Sequence, residues 1–395
     1  MSRKLLRKVL MYSSSAPLAA VAVAAVLQFT APEAQAVAAR RPVDLVICLD
    51  TSGSMTALID SARAKLWDIV NELSSATPTP QLRVGLLTYG TPDNSTAASG
   101  WIVRHTDLTS DLDTVYAKMM AMRTAGGDEY VGWVLSDAVS DMNWSRDPDA
   151  LRIIFVAGNE SADQARERYD FRHVCETARS RGIFINAIYA GDHGQGVSEH
   201  WHEVAIHGGG NFSSIDMEHG TLQIEAPQDK LLMELNVKLN ATYVPYGAQG
   251  AAGAANQVAQ DRNSLSMGRQ SCASRAAAKS SKLYTNAFWD LVDALRDGTV
   301  ELDKVKDADL PECMRPMSPG ERKAYVEGMR RSRAAIQEEI QEVNAARQRY
   351  LAAERARQSG QTGLDDAILD ALHKQAEAKG FMFAPKNPAA KNDGC

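Results

Sequence analysis

The sequence is poor in the features that commit a chain to most catalytic or membrane classes. Its 395 residues hold five cysteines, at positions 48, 175, 272, 313 and 395. The number is odd and no C-x-x-C or Cys/His zinc spacing occurs, so no disulfide framework and no structural zinc site is written into it. Cys48 and Cys175 read as small core residues, while a pairing of Cys272 with Cys313 stays open. There is no G-x-S-x-G elbow, no P-loop, no H-E-x-x-H and no Rossmann glycine fingerprint. No repeat recurs at a solenoid period. Aromatic residues are only 6% of the chain, and positive charge is outweighed, with a formal net charge of −6. An acidic balance of this kind argues against nucleic-acid binding and suits the binding of cations.

Long hydrophobic runs are also missing. The longest, Ala16 to Leu27, falls short of the roughly 20 residues a membrane-spanning helix needs. It follows the basic stretch MSRKLLRK and precedes Ala34-Gln35-Ala36, which is the order of an export signal with a small-residue cleavage site. The expectation is a signal peptide over 1–36, cleaved after Ala36, and a protein of the periplasm, the cell surface or the medium. An uncleaved anchor is the alternative. Cleavage removes Arg3, Lys4, Arg7, Lys8 and Glu33, which makes the net charge three units more negative.

What is present is a packed core, since 45% of residues are hydrophobic and 23% charged. From 42 to 245, strand-like runs such as PVDLVICL and LRIIFVA alternate with helical patterns. This implies an α/β fold: a doubly wound, mostly parallel sheet flanked by helices. Ser161 and Gln164 suggest a capping box for the helix that runs through Arg179. The small, polar stretch 246–260 reads as a linker. Residues 261–380 read as an all-α region, and 381–395 as a disordered tail. In that region LYTNAFWDLVDAL reads as helical, and Ser318, Pro319 and Glu321 open a long helix to about Arg357. Arg333 and Arg347 interrupt its heptad seam, so a helical bundle or hairpin docked on the first region is expected rather than a long coiled coil. Arg330, Arg331 and Arg333 read as a solvated face.

In DLVICLDTSGSM an apolar strand stops at Asp50, and Ser52 and Ser54 follow at alternate positions. One carboxylate and two hydroxyls in a tight loop form a donor set for a hard divalent cation such as Mg²⁺. Ligands of doubly wound sheets bind beyond the carboxyl ends of the strands. Asp50, the AGGD loop and AGNES all fall there. The histidines 193, 200, 202 and 207 read as incidental, because residues two apart face different sides of a helix. Trp133, Trp144 and Trp289 read as core rather than as a carbohydrate platform.

DLVICLDTSGSM resembles the Asp-x-Ser-x-Ser metal-ion-dependent adhesion site of von Willebrand factor type A domains, and 42–245 matches the length and element order of one. The resemblance implies a fourth ligand after a Gly-Gly pair, where TAGGDEY places Asp128. Thr124 is the fallback ligand, and a helix cap is the alternative role for Asp128. Gly158 stands where the family has a further aspartate, which leaves Asn159 or Glu160 to serve. The whole chain is similar to exported bacterial proteins with AGNE at this place and a helical C-terminal region. The resemblance implies no enzyme activity.

The expected function is therefore divalent-cation-dependent protein–protein interaction or adhesion. The cation, Mg²⁺ with Mn²⁺ or Ca²⁺ as alternatives, is held by Asp50, Ser52, Ser54 and Asp128, and a partner protein offers it a carboxylate. No nucleic acid and no membrane span after cleavage are expected. A metal-independent envelope scaffold is the alternative. A metal-dependent hydrolase, with His105 or Glu129 as base, is the remote one.

Overall fold

The computed structural model describes residues 40–92, 95–215, 224–357 and 364–383, with the backbone alone over 364–367. The expected signal peptide lies outside the described residues, as does the tail from 384.

Strand β1 (Pro42–Asp50) is central, and its alternation builds two cores. Leu45, Ile47 and Leu49 point to one face, and Val46 and Cys48 to the other. The further strands are β2 (Gln81–Tyr89), β3 (Val103–Thr109), β4 (Leu151–Gly158), β5 (Ile183–Ala190) and β6 (Gly209–Ile215). Their order is β3-β2-β1-β4-β5-β6, all parallel except the antiparallel edge strand β3. Helices α1 (Thr56–Ser74) and α2 (Leu112–Ala121) cover the first face. Helices α3 (Val131–Asp141) and α4 (Phe171–Ser180) cover the second, followed by α5 (His193–Ser198) and α6 (Trp201–Gly208). The chain order reverses on either side of β1, so the carboxyl ends of β1, β2 and β4 meet at the switch point.

The helical region comprises α7 (Asp229–Asn240), α8 (Gly250–Ser266), α9 (Arg269–Lys279), α10 (Leu291–Arg296), α11 (Pro319–Arg357) and α12 (Leu364–Ala378). Helix α12 returns to the sheet. Gln375 and Asn186 of β5 exchange amide hydrogen bonds of 2.8 and 3.1 Å, and Ile368, Ala371 and Leu372 join the core beneath β1. Among the described residues no helix is long and apolar enough to cross a membrane.

Several local expectations change. The stretch read as a linker, 246–260, is largely helix α8. Its buried face is polar (Gln257, Gln260, Ser264) and Gly253 lies against Trp289, so it shows no apolar stripe. Ser161 and Gln164 do not cap α4, whose N-cap is Asp170; the Gln164 carbonyl instead accepts from the Glu129 amide. Of LYTNAFWDLVDAL only the part from Leu291 is α-helical, as the start of α10, because the Asp290 side chain caps that helix by accepting from the Asp293 amide. Phe381 is buried, and Met382 exchanges two 2.8 Å backbone bonds with Thr77, so the first residues of the expected tail are packed. Cys272 is buried and Cys313 exposed, and both are free thiols. Arg333 is not on a solvated face: it is buried and bonds Asp290 and Asp293 at 2.7 and 2.9 Å. Arg347 is buried against Asp229 at 2.6 Å. The capping box of Ser318 and Glu321 is present, with Pro319 opening α11.

The helical region is keyed to the sheet region by buried charge. Arg275 of α9 is fully buried, 2.6 Å from both Asp113 of α2 and Asp261 of α8, with its guanidinium 4.6 Å from the Trp67 ring of α1. Removing one member of such a set strands the others in a medium that cannot solvate them. Arg275→Ala is expected to cost about 3–5 kcal/mol in urea unfolding; a loss below about 1 kcal/mol would contradict this. Burial opposes ionisation of Asp261, yet the charges of Lys279 and Arg275 hold it down at about 2. A carboxyl depressed by folding stabilises above its unfolded value near 3.8 and loses that contribution as pH falls through about 2. Asp261→Asn should therefore lose about 2 kcal/mol at neutral pH and show a flatter acid limb below pH ~4.

Candidate cation site at the carboxyl end of the central strand

Asp50 ends β1 fully buried, opposite Tyr89 of β2. The backbone then turns tightly. The Ser52 amide donates to Asp50 Oδ1 at 2.7 Å, Thr51 donates from both amide and hydroxyl to the Tyr89 carbonyl, and the Met55 amide donates to the Ser52 carbonyl at 3.1 Å. Helix α1 begins directly after. The Gly-Gly loop is tied on by the Ala125 amide, which donates to the Thr51 carbonyl at 3.0 Å.

Gly90 reports how closely the side chains converge. At φ +75° it takes a conformation that side chains disfavour, and a Cβ there would lie 2.8 Å from Asp50 Oδ1, 3.1 Å from Glu129 Cγ and 3.5 Å from Ser52 Cβ. Glu129 is therefore the carboxylate beside Asp50. Asp128, the residue matching the family's fourth ligand, is exposed. Its Oδ2 accepts from Trp101 Nε1 at 3.2 Å and from the Tyr130 hydroxyl at 2.9 Å. Thr124 Oγ1 lies 3.4 Å from Thr56 Oγ1. Ser54 is exposed, and its Oγ accepts from Asn159 Nδ2 at 3.0 Å.

Gly158 is explained by Tyr89. A Cβ at 158 would strike the Tyr89 hydroxyl and stand 3.2 Å from Asp50 Oδ2, while that hydroxyl donates to the Ala157 carbonyl at 2.9 Å. The phenol fills the space a carboxylate at 158 would enter.

Four buried oxygens around this point have no hydrogen-bond partner: Asp50 Oδ2, Ser52 Oγ, Glu129 Oε2 and Asn159 Oδ1. Buried polar atoms are nearly always satisfied, and an exception calls for a ligand or ion. Among the described residues no group of three or more His, Cys, Asp or Glu is arranged to hold a metal. The donors here are two carboxylates with hydroxyl and amide oxygens, a set that suits a hard cation. Burial raises the Asp50 carboxyl above its ordinary value. Glu129 is pushed up to about 9, first by burial and then by the adjoining Asp50 carboxyl. Without a cation the pair keeps a proton, because two buried like charges cannot both ionise cheaply.

The histidines do not form a centre. His200 bonds Glu203 at 2.8 Å, His207 bonds Glu176 at 3.2 Å, and the rings of His193 and His202 pack on Phe212. His105, the remote catalytic candidate, is half-buried against the Thr88 hydroxyl at 2.8 Å, and burial lowers its basicity. Trp289 is core at 1% exposure and Trp133 is nearly so at 7%.

Residues 44–223 match the family model of the von Willebrand factor type A domain. No curated protein matches the chain. Among solved structures it is similar to proximal thread matrix protein 1 from the mussel byssus, described with a zinc-occupied MIDAS motif. That match has 14% identity and a TM-score of 0.35, over 45% of this chain and 43% of that one. It is also similar to the conserved hypothetical protein BatB from Bacteroides thetaiotaomicron, with 16% identity and a TM-score of 0.34 over 44% and 90%. A third is the pilus adhesin SpaC from Lactobacillus rhamnosus GG, with 16% identity and a TM-score of 0.34 over 45% and 28%. The chain thus spans less than half the length of the mussel protein.

Glu129 gives a signed expectation. Its folded value of about 9 lies above the ordinary value of 4.5, so the folded state binds the extra proton and stability falls as pH rises between the two. Glu129→Gln cannot titrate. In EDTA at pH ~7 it should be more stable than wild type by on the order of 1–3 kcal/mol, and flatter between pH ~5 and ~8. Equal pH slopes in urea unfolding would contradict the placement of Glu129.

Proposed function

We propose that the von Willebrand factor type A domain of residues 44–223 serves protein–protein interaction, on a face ordered by one hard divalent cation. Asp50, Ser52, Ser54 and Glu129 hold the ion, with the Asn159 carbonyl as a further donor. Asp128 sits at the rim of that face. Mg²⁺ is the first choice by donor chemistry, with Mn²⁺ and Ca²⁺ as alternatives. The observation that carries this reading is the set of four unpartnered buried oxygens above Gly90 and beside Gly158.

When bound, the ion supplies the positive charge that lets both carboxyl groups ionise. The chain does the rest. Asp50 and Ser52 are fixed by the β1–α1 turn. The backbone of Glu129 is held by the hydrogen bond its N–H donates to Gln164 Oε1. Asn159 joins the loop after β4 to Ser54. Three loops are thereby locked together into a surface that a partner can read. The order of the N-terminal segments supports export, with cleavage after Ala36 and residence in the periplasm, at the cell surface or in the medium. The reading assigns no catalytic step. A metal-independent scaffold is the second reading, favoured by the Tyr89 hydroxyl standing where the family has an aspartate.

A ligand at 100 times its Kd stabilises the folded state by roughly 2.7 kcal/mol. Thermal unfolding with Mg²⁺, Mn²⁺, Ca²⁺ or EDTA should show a shift of that order in wild type and in Asp128→Asn, and none in Asp50→Ala or Glu129→Gln. No cation effect in wild type would favour the scaffold. A shift lost in Asp128→Asn would restore Asp128 as a ligand.

A further inference from the structure

One positive charge on the rim of this face has no counter-charge. Three arginines follow β4 closely. Arg166 pairs with Asp163 and Asp170 at 3.7 Å each, and Arg172 pairs with Asp163 at 2.6 Å and Glu203 at 2.7 Å. The exposed Arg168 between them has no ion pair among the described residues. Its guanidinium lies 4.2 Å from the Trp133 ring centroid and 5.6 Å from that of Tyr169.

The bed beneath Arg168 is built. Trp133 stacks on Tyr169 at 4.7 Å and on Tyr130 at 6.1 Å. A Cβ on Gly100 would strike the indole of Trp133, and one on Gly132 would strike the carbonyl of Tyr169. Both glycines are thus conditions of the stack. Trp101 and Ala165 hold φ of +57° and +55°, and they are two of three such non-glycine residues among those described. Each is strained and persists only where the surroundings enforce it. Trp101 reaches Asp128, and the loop bearing Ala165 is bonded to Glu129 and Ser54. The arginine and the cation site therefore share one framework.

Charge decides what this framework takes. Arg166 and Arg172 are already paired with carboxylates, whereas Arg168 keeps its positive charge for a partner whatever the cation carries. We propose that Arg168, on its bed of Trp133 and Tyr169, is a carboxylate anchor, and that its occupant is an acidic segment of a partner protein. One Asp or Glu side chain accepts two parallel N–H bonds from the guanidinium, and an adjoining apolar side chain lies against Trp101 and Tyr130. The chain as a whole is acidic, with a formal net charge of −6, which opposes a polyanion such as nucleic acid or an anionic membrane but not a single carboxylate.

The test is selection from a random peptide library on the immobilised full chain in Mg²⁺, repeated with Arg168→Gln. Arg168 is exposed, so the variant should keep the fold and the cation-dependent thermal shift of wild type. Peptides enriched on wild type should share an Asp or Glu beside an apolar residue, and the variant should lose that enrichment. For the best peptide, Glu→Gln (or Asp→Asn) should weaken binding by about tenfold or more on wild type and have no effect on Arg168→Gln. Enriched peptides without an acid, no enrichment at all, or an acid effect that persists in Arg168→Gln would each overturn the anchor. EDTA separates the two proposals. An acid effect removed by EDTA but unchanged in Arg168→Gln places the carboxylate on the cation and refutes the anchor alone. An acid effect that survives EDTA and is lost in Arg168→Gln upholds the anchor and counts against the cation.

Discussion

Two carboxyl groups held together at the end of a buried strand repel as soon as both ionise, and the site in this protein is organised around that constraint. Asp50 cannot move, because β1 is clamped between β2 and β4 and the turn after it is closed by the Ser52 and Thr51 bonds. Glu129 is brought to it over a glycine that leaves room for nothing else. The conflict is relieved either by a retained proton or by a cation. The first bridges the two carboxyl groups by one hydrogen bond and leaves the Asn159 oxygen without a partner; the second can engage all of the oxygens together. Tyr89 sets the boundary of the arrangement by taking the space above Gly158. On the proposed reading the donors come from the β1–α1 turn, the Gly-Gly loop and Asn159, and not from the strand end of β4.

The same economy of buried charge ties the helical region to the sheet region through Arg275 and Asp113 and holds the helices to one another elsewhere. Arg275, Arg333 and Arg347 are each enclosed with carboxylates from distant positions: Asp113 and Asp261, Asp290 and Asp293, and Asp229. Such pairs contribute little net stability against apolar alternatives, but leaving one partner alone is costly, so they favour one docking over others. The described parts of both regions fall within one compact unit, Arg40–Cys395. Helix α12 adds its apolar face to the core beneath β1, and through Asn186 it is bonded to β5.

Much of this was legible in the sequence. The apolar run before Asp50 and the strand–helix alternation specify the parallel sheet, because each is a local pattern. That Asp50 closes the strand and a tight turn carries Ser52 and Ser54 beyond it is legible for the same reason. The choice between Asp128 and Glu129 is not. Adjacent acids in a loop have no periodicity to separate them, and what separates them is nonlocal: Trp101 and Tyr130 hold one outward, and Gln164 and Gly90 admit the other inward. Helix α8 was hidden because it buries Gln257, Gln260 and Ser264 instead of an apolar stripe. Arg333 and Arg347 broke a heptad on paper and fit it in space, because their counter-charges lie far away along the chain.

The central claim is that Glu129 and Asp50 together form the cation site. A crystal of the protein soaked in Mn²⁺ and measured for anomalous scattering tests it directly. The account predicts one peak bounded by the oxygens of Asp50, Ser52 and Glu129. A peak coordinated by Asp128 with Glu129 turned away, or no peak in this region at saturating Mn²⁺, would contradict it.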